Sequence, residues 1–301
     1  MTYFIVNPTA GSGKANSAVP VIERIARERG VNYQFIYTNG PGDTERVSGL
    51  IDFNAARAVV CVGGDGTVQE YVGLANGRDI GFGVIPAGSG NDLIYSIPGY
   101  SAEKEGRFPS YEEKIAFYTE KILVGKTQYV DAISVNGKKL FLNAAGTGMD
   151  VQVLKTAAPL KRFLGSAAYF ISLIKTAFTY RSTEMTLTVD GKAETGRYMM
   201  LAVCNGGFIG GNLNIAPPAV MDDGNITLCV IRHMPRWKTI AMFAQVRKGG
   251  HTRLKEVSVV NCKSVKLEFG EARTVHMDGN LEDFKSPVTF EIVEKAVKLI
   301  V

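Results

Sequence analysis

The sequence predicts two domains of different class, a doubly wound α/β domain followed by a mostly antiparallel β domain. Strand and helix patterns alternate over the first hundred residues, and the apolar run Ala58–Val62 lacks polar alternation, as parallel strands covered on both faces do. After about residue 125 the strands become short, β-branched and separated by hairpin turns such as Asn136-Gly137 and Asp190-Gly191. A chain of 301 residues is long enough for both domains.

Four strands and three helices are predicted in the first domain. The first helix has Val21, Ile22 and Ile25 at helical spacing, and Gly30 ends it. The strands are Tyr3–Val6, Tyr33–Tyr37, Ala58–Val62 and Ile80–Ile85, and the helices are Ser17–Arg29, Thr44–Leu50 and Val68–Ala75. Repeated strand–helix units of this length favour a parallel sheet with right-handed crossovers.

The second domain is predicted to be a sandwich or a distorted barrel. One long helix, Leu160–Thr179, interrupts its strands, and the charged stretch Glu103–Arg107 ahead of the domain is predicted to be a solvated loop. The predicted strands are Gln128–Val135, Leu140–Ala145, Met185–Val189, Tyr198–Val203, Ile226–Ile231, Val257–Val260, Val265–Phe269 and Val288–Val293.

The composition excludes several classes of protein. With 46% hydrophobic and 21% charged residues, the chain is neither disordered nor fibrous. The net charge of +5 suits an anionic small molecule or an acidic membrane surface, but it is too weak and scattered to indicate nucleic-acid binding. The four cysteines and three histidines form neither a C-x-x-C nor an H-E-x-x-H pattern, which argues against disulfides and zinc.

The sequence predicts a cytoplasmic location. Its start, MTYFIVNP, lacks the basic and apolar regions of a signal peptide. The most apolar helical stretch, Phe163–Phe178, contains Lys175 and falls short of the ~20 apolar residues that span a bilayer.

Three turns of the first domain are candidates for binding phosphate groups. They are Asn7–Gly11, Gly63–Thr67 and Pro86–Asp92, and each follows a predicted strand. In a parallel sheet such turns lie at one edge, where glycine lets the backbone approach a phosphate and the next helix offers free N–H groups. The hydroxyls of Thr67 and Ser89 would either cap a helix or meet a phosphate oxygen. Tight-turn chemistry alone would explain any one turn, but three at one edge favour a nucleotide.

Three common motifs fail at these turns. A Walker P-loop around Gly13-Lys14 would need glycine at Pro8 and a hydroxyl residue at Ala15. A Rossmann fingerprint starting at Gly81 meets Pro86 at its third glycine position. The serine elbow fails because Ala87 and Asn91 flank Ser89 where glycines are required.

Asp65 is the most informative residue of the three turns. A carboxylate among phosphate-binding glycines repels the phosphate unless a cation bridges the two, and Mg²⁺ is the cation that binds few carboxylates together with phosphate oxygens and water. The alternative is that Asp65 caps the helix at Thr67. The bridging interpretation is favoured because Thr67 can already supply the cap.

These motifs resemble those of the diacylglycerol kinase catalytic family, which includes soluble bacterial lipid kinases and the sphingosine and ceramide kinases. Gly63-Gly-Asp-Gly-Thr-Val-Gln-Glu70 and Pro86–Asp92 resemble its signatures, and the similarity runs nearly end to end. Further matches are Asn7–Gly11, Asp131, Phe141–Asp150, Lys161–Tyr169, Pro217–Gly224 and Met277–Asn280.

The resemblance implies a fold, a set of ligands and a set of site residues. The fold would be a phosphofructokinase-like doubly wound α/β domain (residues 1–126, with a C-terminal return near 294–301) followed by an antiparallel β-sandwich domain (127–293), with ATP between them. The nucleotide would contact Asn7, Pro8, Thr9, Ala10, Gly11, Thr38, Gly63, Gly64, Asp65, Gly66, Thr67, Glu70, Gly88, Ser89, Asn91 and Asp92. Asp65, Asn91, Asp92, Asp131 and Asp278 would form a carboxylate–water–Mg²⁺ network. A structural Mg²⁺ would bind Asp223 and the carbonyls of Val220 and Asn225, although a plain Asp-Gly turn explains Asp223 equally well.

The sequence departs from the family pattern at Asn280. The late family motif is Asp-Gly-Glu, whose glutamate is taken as the base for the lipid hydroxyl, and asparagine cannot accept a proton at neutral pH. Three explanations stay open: Glu282 or Asp283 reaches the site, Asp278 acts as the base, or the protein senses nucleotide or lipid with feeble catalysis. Ser89 in place of threonine keeps the hydroxyl, whereas Tyr95 in place of a common arginine removes a positive charge.

The substrate side has few signals. The helix Leu160–Thr179 carries basic and apolar residues that would either dip into a membrane surface or pack on the sandwich. Trp237, between Arg236 and Lys238, is a candidate interfacial anchor.

The sequence therefore predicts an ATP- and Mg²⁺-dependent lipid kinase of the diacylglycerol kinase type, with Asp65, Asp278 and Asn280 at its catalytic centre. It would work peripherally at the inner membrane surface, possess no nucleic-acid partner, and is a candidate homodimer. The alternatives are a soluble-substrate kinase of the NAD kinase type, which shares Gly-Gly-Asp-Gly-Thr, and a non-catalytic nucleotide- or lipid-binding regulator.

Overall fold

The computed structural model describes residues 1–99, 108–164 and 167–301. The charged stretch Glu103–Arg107, predicted to be a loop, lies outside the described residues.

The N-terminal part of the chain contains a parallel sheet whose central strands are buried along their whole length. The strands are β1 (Thr2–Val6), β2 (Tyr33–Tyr37), β3 (Ala58–Gly63) and β4 (Gly81–Pro86), and the helices are α1 (Lys14–Glu28), α2 (Thr44–Gly49), α3 (Asp65–Tyr71) and α4 (Tyr111–Val124). The apolar side chains of β1, β3 and β4 pack into one core with the inner faces of α1 and α4. Continuous apolar runs are the pattern expected for strands covered on both faces.

The order of the parallel strands creates a crevice at one edge of the sheet. β1 pairs with β2 on one side and with β3 on the other, and β3 then pairs with β4. The chain therefore leaves β1 in one direction and β3 in the opposite direction. Loops that follow such neighbouring strands diverge and leave space for a ligand, so the loops after β1 and β3 flank this space.

The remaining strands are antiparallel except at the end of the last one. They are β5 (Thr127–Val135), β6 (Lys139–Phe141), β7 (Ala144–Gly148), β8 (Thr183–Val189), β9 (Lys192–Cys204), β10 (Phe208–Ile209), β11 (Leu213–Asn214), β12 (Ile226–Arg232), β13 (Val257–Cys262), β14 (Ser264–Glu268), β15 (Arg273–Met277), β16 (Asn280–Phe284) and β17 (Val288–Ile300). The helices are α5 (Met149–Leu164), α6 (Ala167–Thr179) and α7 (Arg236–Val246). The predicted fold class, α/β followed by antiparallel β, is confirmed.

The last strand connects the two parts of the fold. β17 pairs antiparallel with β14 and β5, shifts register between Val293 and Val297, and ends beside β4 in parallel orientation at Lys298 and Leu299. The predicted strand Val288–Val293 is therefore only the first half of β17. The predicted domain boundaries at residues 126 and 293 stay predictions.

Two sequence predictions about single elements are wrong. The predicted strand Leu140–Ala145 is two strands, β6 and β7, because the N–H groups of Leu142 and Asn143 bind the carboxylate of Asp278 instead of a neighbouring strand. The predicted helix Leu160–Thr179 is the end of α5 and all of α6. The sequence analysis also missed α4, α7 and the hairpin formed by β15 and β16, whose strands are short and carry many polar residues.

Candidate active site

The three predicted turns lie close together at the carboxyl edge of the parallel sheet, and their backbones can approach each other because glycines stand at the contact points. A Cβ atom on Gly88 would lie 2.3 Å from the Cα of Gly64, so the backbones after β3 and β4 touch. A Cβ on Gly11, whose φ is +59°, would lie 2.2 Å from the carbonyl oxygen of Ala87. Since real Cβ atoms do not approach backbone this closely, the three loops can converge only with glycine at these positions.

The loop after β1 is held to helix α3 through a side chain. Asn7 Nδ2 donates to Thr67 Oγ1 at 3.1 Å, and Asn7 Oδ1 accepts from the hydroxyl and the N–H of Thr9 at 2.9 and 3.2 Å. Thr67 is buried and does not cap α3, which has no side-chain cap. Pro8 and Ala10 are half-buried in the same loop, whereas Thr9 is exposed. The loop is thus rigid and leaves Thr9 open to a ligand.

Asp65 does not cap its own helix. It is the first residue of α3, and its Oδ1 accepts a hydrogen bond from the N–H of Leu93 at 3.1 Å, in the segment after β4. Burial raises the pKa of Asp65, and hydrogen bonds from backbone N–H groups of residues 91–93 oppose that rise. The carboxylate therefore connects the second and third loops. The expectation that Thr67 supplies the cap is wrong, because α3 has no side-chain cap, and the cation between Asp65 and a phosphate stays a prediction.

A second carboxylate faces Asp65. A Cβ atom on Gly90 would lie 3.1 Å from Asp65 Oδ2 and 3.5 Å from Asp92 Oδ2, so both oxygens border the same small space. Asp92 Oδ1 accepts from the N–H groups of Gly211 and Asn212 at 2.7 and 3.1 Å. Burial, and next the charge of Asp65, raise the pKa of Asp92 to about 6. Two buried carboxylates whose oxygens border one space are an arrangement that a cation stabilises.

The loop between β4 and Asp92 is fixed by Asn91. This residue adopts a φ of +57°, and its amide both accepts from the N–H of Gly88 at 2.9 Å and donates to the carbonyl of Gly88 at 3.0 Å. Asn91 thus stabilises the conformation of the loop. Ser89, at the exposed tip, makes no hydrogen bond to any described residue, and its hydroxyl is therefore available to a phosphate oxygen.

Asp278 brings a third carboxylate to the site from the β domain. It lies in the tight turn between β15 and β16, with a φ of +46°. Its carboxylate accepts from the N–H groups of Leu142, Asn143 and Ala144 at 3.1, 3.2 and 2.8 Å. Burial raises its pKa to about 7 against the opposing effect of these donors, and the charge of Asp65 adds to the rise. Asp278 is therefore close enough to Asp65 for their charges to interact.

Asn280 holds the same turn against the α/β domain. Its Nδ2 donates to Gln69 Oε1 at 2.7 Å and to the carbonyl of Gly66 at 3.2 Å. A Cβ atom on Gly66 would lie 2.6 Å from Asn280 Oδ1, so a side chain there would displace the Asn280 amide. Asn280 thus reaches the predicted site, but as a hydrogen-bonded anchor.

The two predicted substitutes for the missing glutamate are engaged elsewhere. Glu282 forms an ion pair with Lys139 at 2.6 Å, and Asp283 accepts a hydrogen bond from the hydroxyl of Thr274 on the neighbouring strand. Of the three proposed bases, Asp278 is the one in the turn that Asn280 joins to α3, and the charge of Asp65 helps to raise its pKa.

Thr38 and Glu70, predicted to contact the nucleotide, have other partners in the structure. The N–H of Thr38 donates to the carbonyl of Val6 at 2.9 Å, and its side chain is buried. The Glu70 carboxylate accepts from the N–H of Gly42 and the hydroxyl of Thr44 at 2.9 and 2.8 Å. Glu70 therefore organises the start of α2, and the nucleotide contacts of Thr38 and Glu70 stay predictions.

Asp131 lies in a different cluster from Asp65. Its two carboxylate oxygens accept from the N–H groups of Gly224 and Lys295, both at 2.7 Å, so it joins β5 to a turn and to the irregular point of β17. The side-chain amide of Asn205 donates to the backbone carbonyls of Asp131 and Leu142 at 2.8 Å. Asp131 thus connects β5 to this turn and to β17, and its place in the Mg²⁺ network stays a prediction.

A lysine ammonium group lies at the turn predicted to bind a structural Mg²⁺. Asp223 is exposed, and its Oδ1 accepts from the N–H of Asn225 at 2.9 Å, as in an ordinary Asp turn. The ammonium group of Lys263 donates to the carbonyl of Gly224 and pairs with Glu294 at 3.2 Å. Val220 is exposed beside them. In the described part of the chain no group of three or more His, Cys, Asp or Glu side chains is arranged to hold a metal, and the assignment stays a prediction.

The sequence analysis missed a buried acid–imidazole pair. Asp150 Oδ2 lies 2.9 Å from His276 Nε2, and both side chains are buried. A Cβ atom on Gly146 would lie 2.1 Å from Asp150 Oδ2, so glycine on β7 makes room for the pair. A cavity of about 440 Å³, lined in part by Thr147, Gly148 and Thr274, opens beside it. Asp150 ends the Phe141–Asp150 motif, but the sequence contains no signal for its partner, 126 positions away, two residues before Asp278.

Comparisons with known proteins identify the class. A family model described as the diacylglycerol kinase catalytic domain matches residues 1–135, and one described as the YegS C-terminal NAD kinase beta sandwich-like domain matches residues 143–301. Together they cover both parts of the fold. The class of protein that they define is a kinase with a diacylglycerol kinase catalytic domain followed by a YegS-type C-terminal domain.

The chain belongs to the diacylglycerol kinase catalytic-domain family, as its motifs predicted. It is 30% identical over 295 residues to the diacylglycerol kinase of Mycobacterium tuberculosis, which covers 96% of this chain and 90% of that protein. It is also 30% identical over 285 residues to a probable lipid kinase YegS-like protein of Chromohalobacter salexigens, covering 92% and 86%.

A solved structure supports the fold. The crystal structure of a diacylglycerol kinase from Bacillus anthracis str. Sterne superposes with a TM-score of 0.76 at 22% identity, over 99% of this chain and 96% of that one. Among the described helices, none has both the length and the apolar character that spanning a bilayer requires.

Proposed function

We propose that this chain is an ATP- and Mg²⁺-dependent lipid kinase that transfers the terminal phosphate of ATP to the hydroxyl of diacylglycerol or a related lipid. The observation that carries the proposal is the convergence of the loops after β1, β3 and β4 around Asp65, with backbone contacts that only Gly11, Gly64 and Gly88 permit. Such loops present N–H groups to phosphate oxygens without side chains in the way. The names of the relatives support a lipid as the acceptor.

The residues at Gly90 fit a magnesium ion. Asp65 and Asp92 direct one oxygen each toward the space beside Gly90, and burial raises the pKa of both carboxyls. A divalent cation held there with phosphate oxygens would neutralise both carboxylates and polarise the transferring phosphate. In the proposed complex Asn91 keeps the loop in place and Ser89 donates its hydroxyl to a phosphate oxygen.

We assign the role of base to Asp278. Its carboxyl has a pKa raised to about 7, near the pH at which a base is most useful in catalysis. Asn280 cannot take this role because a side-chain amide does not accept a proton at neutral pH. Its Nδ2 also already donates to Gln69 and Gly66. Phosphoryl transfer depends chiefly on positioning and charge stabilisation, so loss of the family's glutamate does not by itself abolish turnover.

A substrate panel tests the proposal. Purified protein with Mg²⁺-ATP would be assayed on diacylglycerol, monoacylglycerol, sphingosine and ceramide in mixed micelles, and on NAD in solution. We expect phosphorylation of at least one lipid and none of NAD. ATP binding without turnover on any lipid would favour a regulator, and phosphorylation of NAD would favour a soluble-substrate kinase. The predicted cytoplasmic location and homodimer stay predictions.

The variant Asn280→Glu tests the position of the acceptor. A glutamate there would add a carboxylate beside the acceptor hydroxyl, and general-base assistance is worth about 10²–10⁴ in rate. Because the substitution also removes two hydrogen bonds to α3, we expect a net gain in kcat of about tenfold. Asn280→Gln, which lengthens the side chain without adding a base, is the control. An unchanged or lower kcat in Asn280→Glu would show that the hydroxyl lies elsewhere.

A further inference from the structure

The side chain of Asn143 is buried beside the candidate active site and has no role in the proposed reaction so far. It is only 2% exposed. Its Oδ1 accepts from the hydroxyl of Ser96 at 3.0 Å, and its Nδ2 donates to the carbonyl of Phe208 at 2.7 Å. Turning the amide over would set its oxygen against the Phe208 carbonyl oxygen, and a buried acceptor without a donor is costly. The amide is therefore held in one orientation by two specific partners.

The backbone around Asn143 holds the proposed base. The N–H groups of Asn143 and Ala144 donate to Asp278 Oδ1 at 3.2 and 2.8 Å, and that of Leu142 donates to Oδ2 at 3.1 Å. Leu142 and Asn143 belong to neither β6 nor β7, so strand pairing does not fix their N–H groups. The position of these donors around Asp278 therefore depends on what anchors Asn143.

Both partners of the Asn143 side chain belong to elements that place Asp92. Ser96 directly follows the short 3-10 helix Asp92–Tyr95. Phe208 lies in β10, and two backbone N–H groups at the tip of the β10–β11 hairpin donate to Asp92 Oδ1. One amide thus joins the backbone that holds Asp278 to both elements that hold Asp92.

The absence of a side chain at Gly206 allows these groups to meet. The N–H groups of Asn205 and Gly206 donate to the carbonyl of Asn143, both at 2.8 Å, so the end of β9 lies against this residue. A Cβ atom on Gly206 would lie 2.3 Å from Asn143 Oδ1 and 2.6 Å from Ser96 Cβ. A side chain there would displace the hydrogen-bonded pair of Asn143 and Ser96.

We infer that Asn143 is a positioning residue, which sets the proposed base Asp278 in its place relative to the proposed cation site at Asp92. It acts through the backbone donors to Asp278 on one side and through Ser96 and β10 on the other. The inference rests on the proposed function, from which it takes the roles of the two acids. The alternative is that the amide only fastens the two parts of the fold together, so that its loss lowers stability but leaves turnover per folded molecule unchanged.

A double-mutant cycle on kcat separates positioning from fastening. Asn143→Ala deletes both side-chain hydrogen bonds. We expect kcat per folded molecule to fall about 100-fold, the loss that a displacement of ~1 Å at a reacting group causes, while KM for ATP changes less than about threefold. In Asp278→Asn the same substitution should lower kcat less than about threefold, because the group that Asn143 positions is no longer a base.

A second variant disturbs the connection without changing Asn143 or Ser96. Gly206→Ala keeps both residues but places a methyl group between them, so it should reproduce most of the loss in kcat. Its control is Gly73→Ala, where a methyl group meets nothing within 4 Å. The control for Asn143→Ala is Thr227→Val, which removes a buried hydroxyl of the β domain whose partner is Asn261. Both controls should keep kcat per folded molecule within about twofold of the wild type.

Hydrogen exchange tests the same connection in the nucleotide-free protein, without any substrate. Ser96→Ala removes the partner of the amide on the α/β side alone. Exchange of the N–H groups of residues 142–144 should become about fivefold faster in this variant, because one hydrogen bond that holds the segment is lost. The control is Ser110→Ala, which removes the cap of α4 and should leave the exchange of residues 142–144 unchanged.

The two measurements distinguish failure of the inference from failure of the proposed function. Equal losses of kcat with and without Asp278, a normal kcat in Gly206→Ala, or exchange at residues 142–144 that ignores Ser96→Ala would each overturn the inference. Absence of turnover on every lipid would overturn the proposed function, and the exchange measurement would still decide whether Asn143 carries the connection between the two acids.

Discussion

The glycine loops after β3 and β4 and the turn between β15 and β16 are brought to the neighbourhood of Asp65 in different ways. The loops come close because side chains are absent, as at Gly64 and Gly88. The turn is held by side-chain hydrogen bonds, from Asn280 to α3 and from three N–H groups to Asp278. The first arrangement is intolerant of added atoms, and the second is intolerant of lost partners.

The glycine loops and the β15–β16 turn also differ in how closely they keep the family pattern. The glycine loops match the family signatures at Gly63–Glu70 and Pro86–Asp92, whereas the turn has Asn280 where glutamate is usual. Under the proposed function, the loops that would bind the phosphate donor and the turn that would face the acceptor can change independently. Substitutions on the two sides should affect binding and turnover differently.

The largest effect is expected from Asp65→Asn. The substitution keeps the shape and the hydrogen bond from Leu93 but removes the charge that holds the proposed metal, so kcat/KM should fall about 10³-fold or more. Asp52→Asn is the matched control because Asp52 lies in a turn before β3, at the opposite edge of the sheet. Equal activity of the two variants in the micelle assay would show that Asp65 is structural.

Next in size is Gly88→Ala. The new methyl group would lie 2.3 Å from the Cα of Gly64, so the loops must separate. We expect the free energy of unfolding to fall by about 1–3 kcal/mol, with at least a tenfold loss of ATP affinity measured by calorimetry. Gly73→Ala, where the methyl group meets nothing within 4 Å, should leave ATP affinity unchanged. Normal ATP binding by Gly88→Ala would contradict the proposed nucleotide site.

The third prediction concerns pH. The pKa of Asp92 is raised from its ordinary value of 3.8 to about 6, so between those values the folded protein binds more protons than the unfolded chain. The free energy of unfolding should therefore fall as pH rises from about 4 to about 6. Asp92→Asn keeps both hydrogen bonds, because Oδ1 alone accepts them.

Asp92→Asn should consequently flatten this dependence and stabilise the nucleotide-free protein at pH 7.5 by about 1–3 kcal/mol. Denaturant unfolding at several pH values measures both effects, with Asp52→Asn as the control. The same variant should lose activity, since it removes a carboxylate from the proposed cation site. If the free energy of unfolding of Asp92→Asn falls with pH as steeply as that of the wild type, another group titrates in this range. Asp278 would then be the first group to test.

The smallest effect is expected at the turn of residues 220–225. Lys263→Gln removes an exposed ammonium from the Gly224 carbonyl and from Glu294, which should cost less than about 1 kcal/mol. If Lys263 takes the place of a cation there, 10 mM Mg²⁺ should raise the melting temperature of the variant more than that of the wild type. Lys192→Gln is the control for charge. Equal shifts in melting temperature in all three proteins would contradict the predicted structural Mg²⁺ at this turn.

The sequence predicted the parallel sheet well because its signals are local. Apolar runs such as Ala58–Val62 and glycine-rich turns after them are determined by neighbouring residues, and the structure confirms both. The β15–β16 hairpin was missed although its turn had been identified through Met277–Asn280. Its strands carry charged residues at short spacing, and only pairing with β7 makes them part of a sheet.

The roles of individual acids were harder to predict. Asp131, Asp223 and Glu70 have the residue type that a ligand site needs, but backbone N–H groups or neighbouring hydroxyls occupy their oxygens. Asp150 follows β7 and His276 lies on β15, the strand that pairs with β7. Their contact depends on the absence of a side chain at Gly146. None of these contacts leaves a pattern within one segment of the chain.

By itself the sequence determined the class of fold, the loops that converge and the presence of an acid among their glycines, because these depend on periodicity and on backbone freedom at single residues. Only the tertiary structure decided which carboxylates border the same space at Gly90 and that Asn280 serves as an anchor. Those outcomes depend on distances between residues far apart in the chain, which are set by packing of the whole molecule.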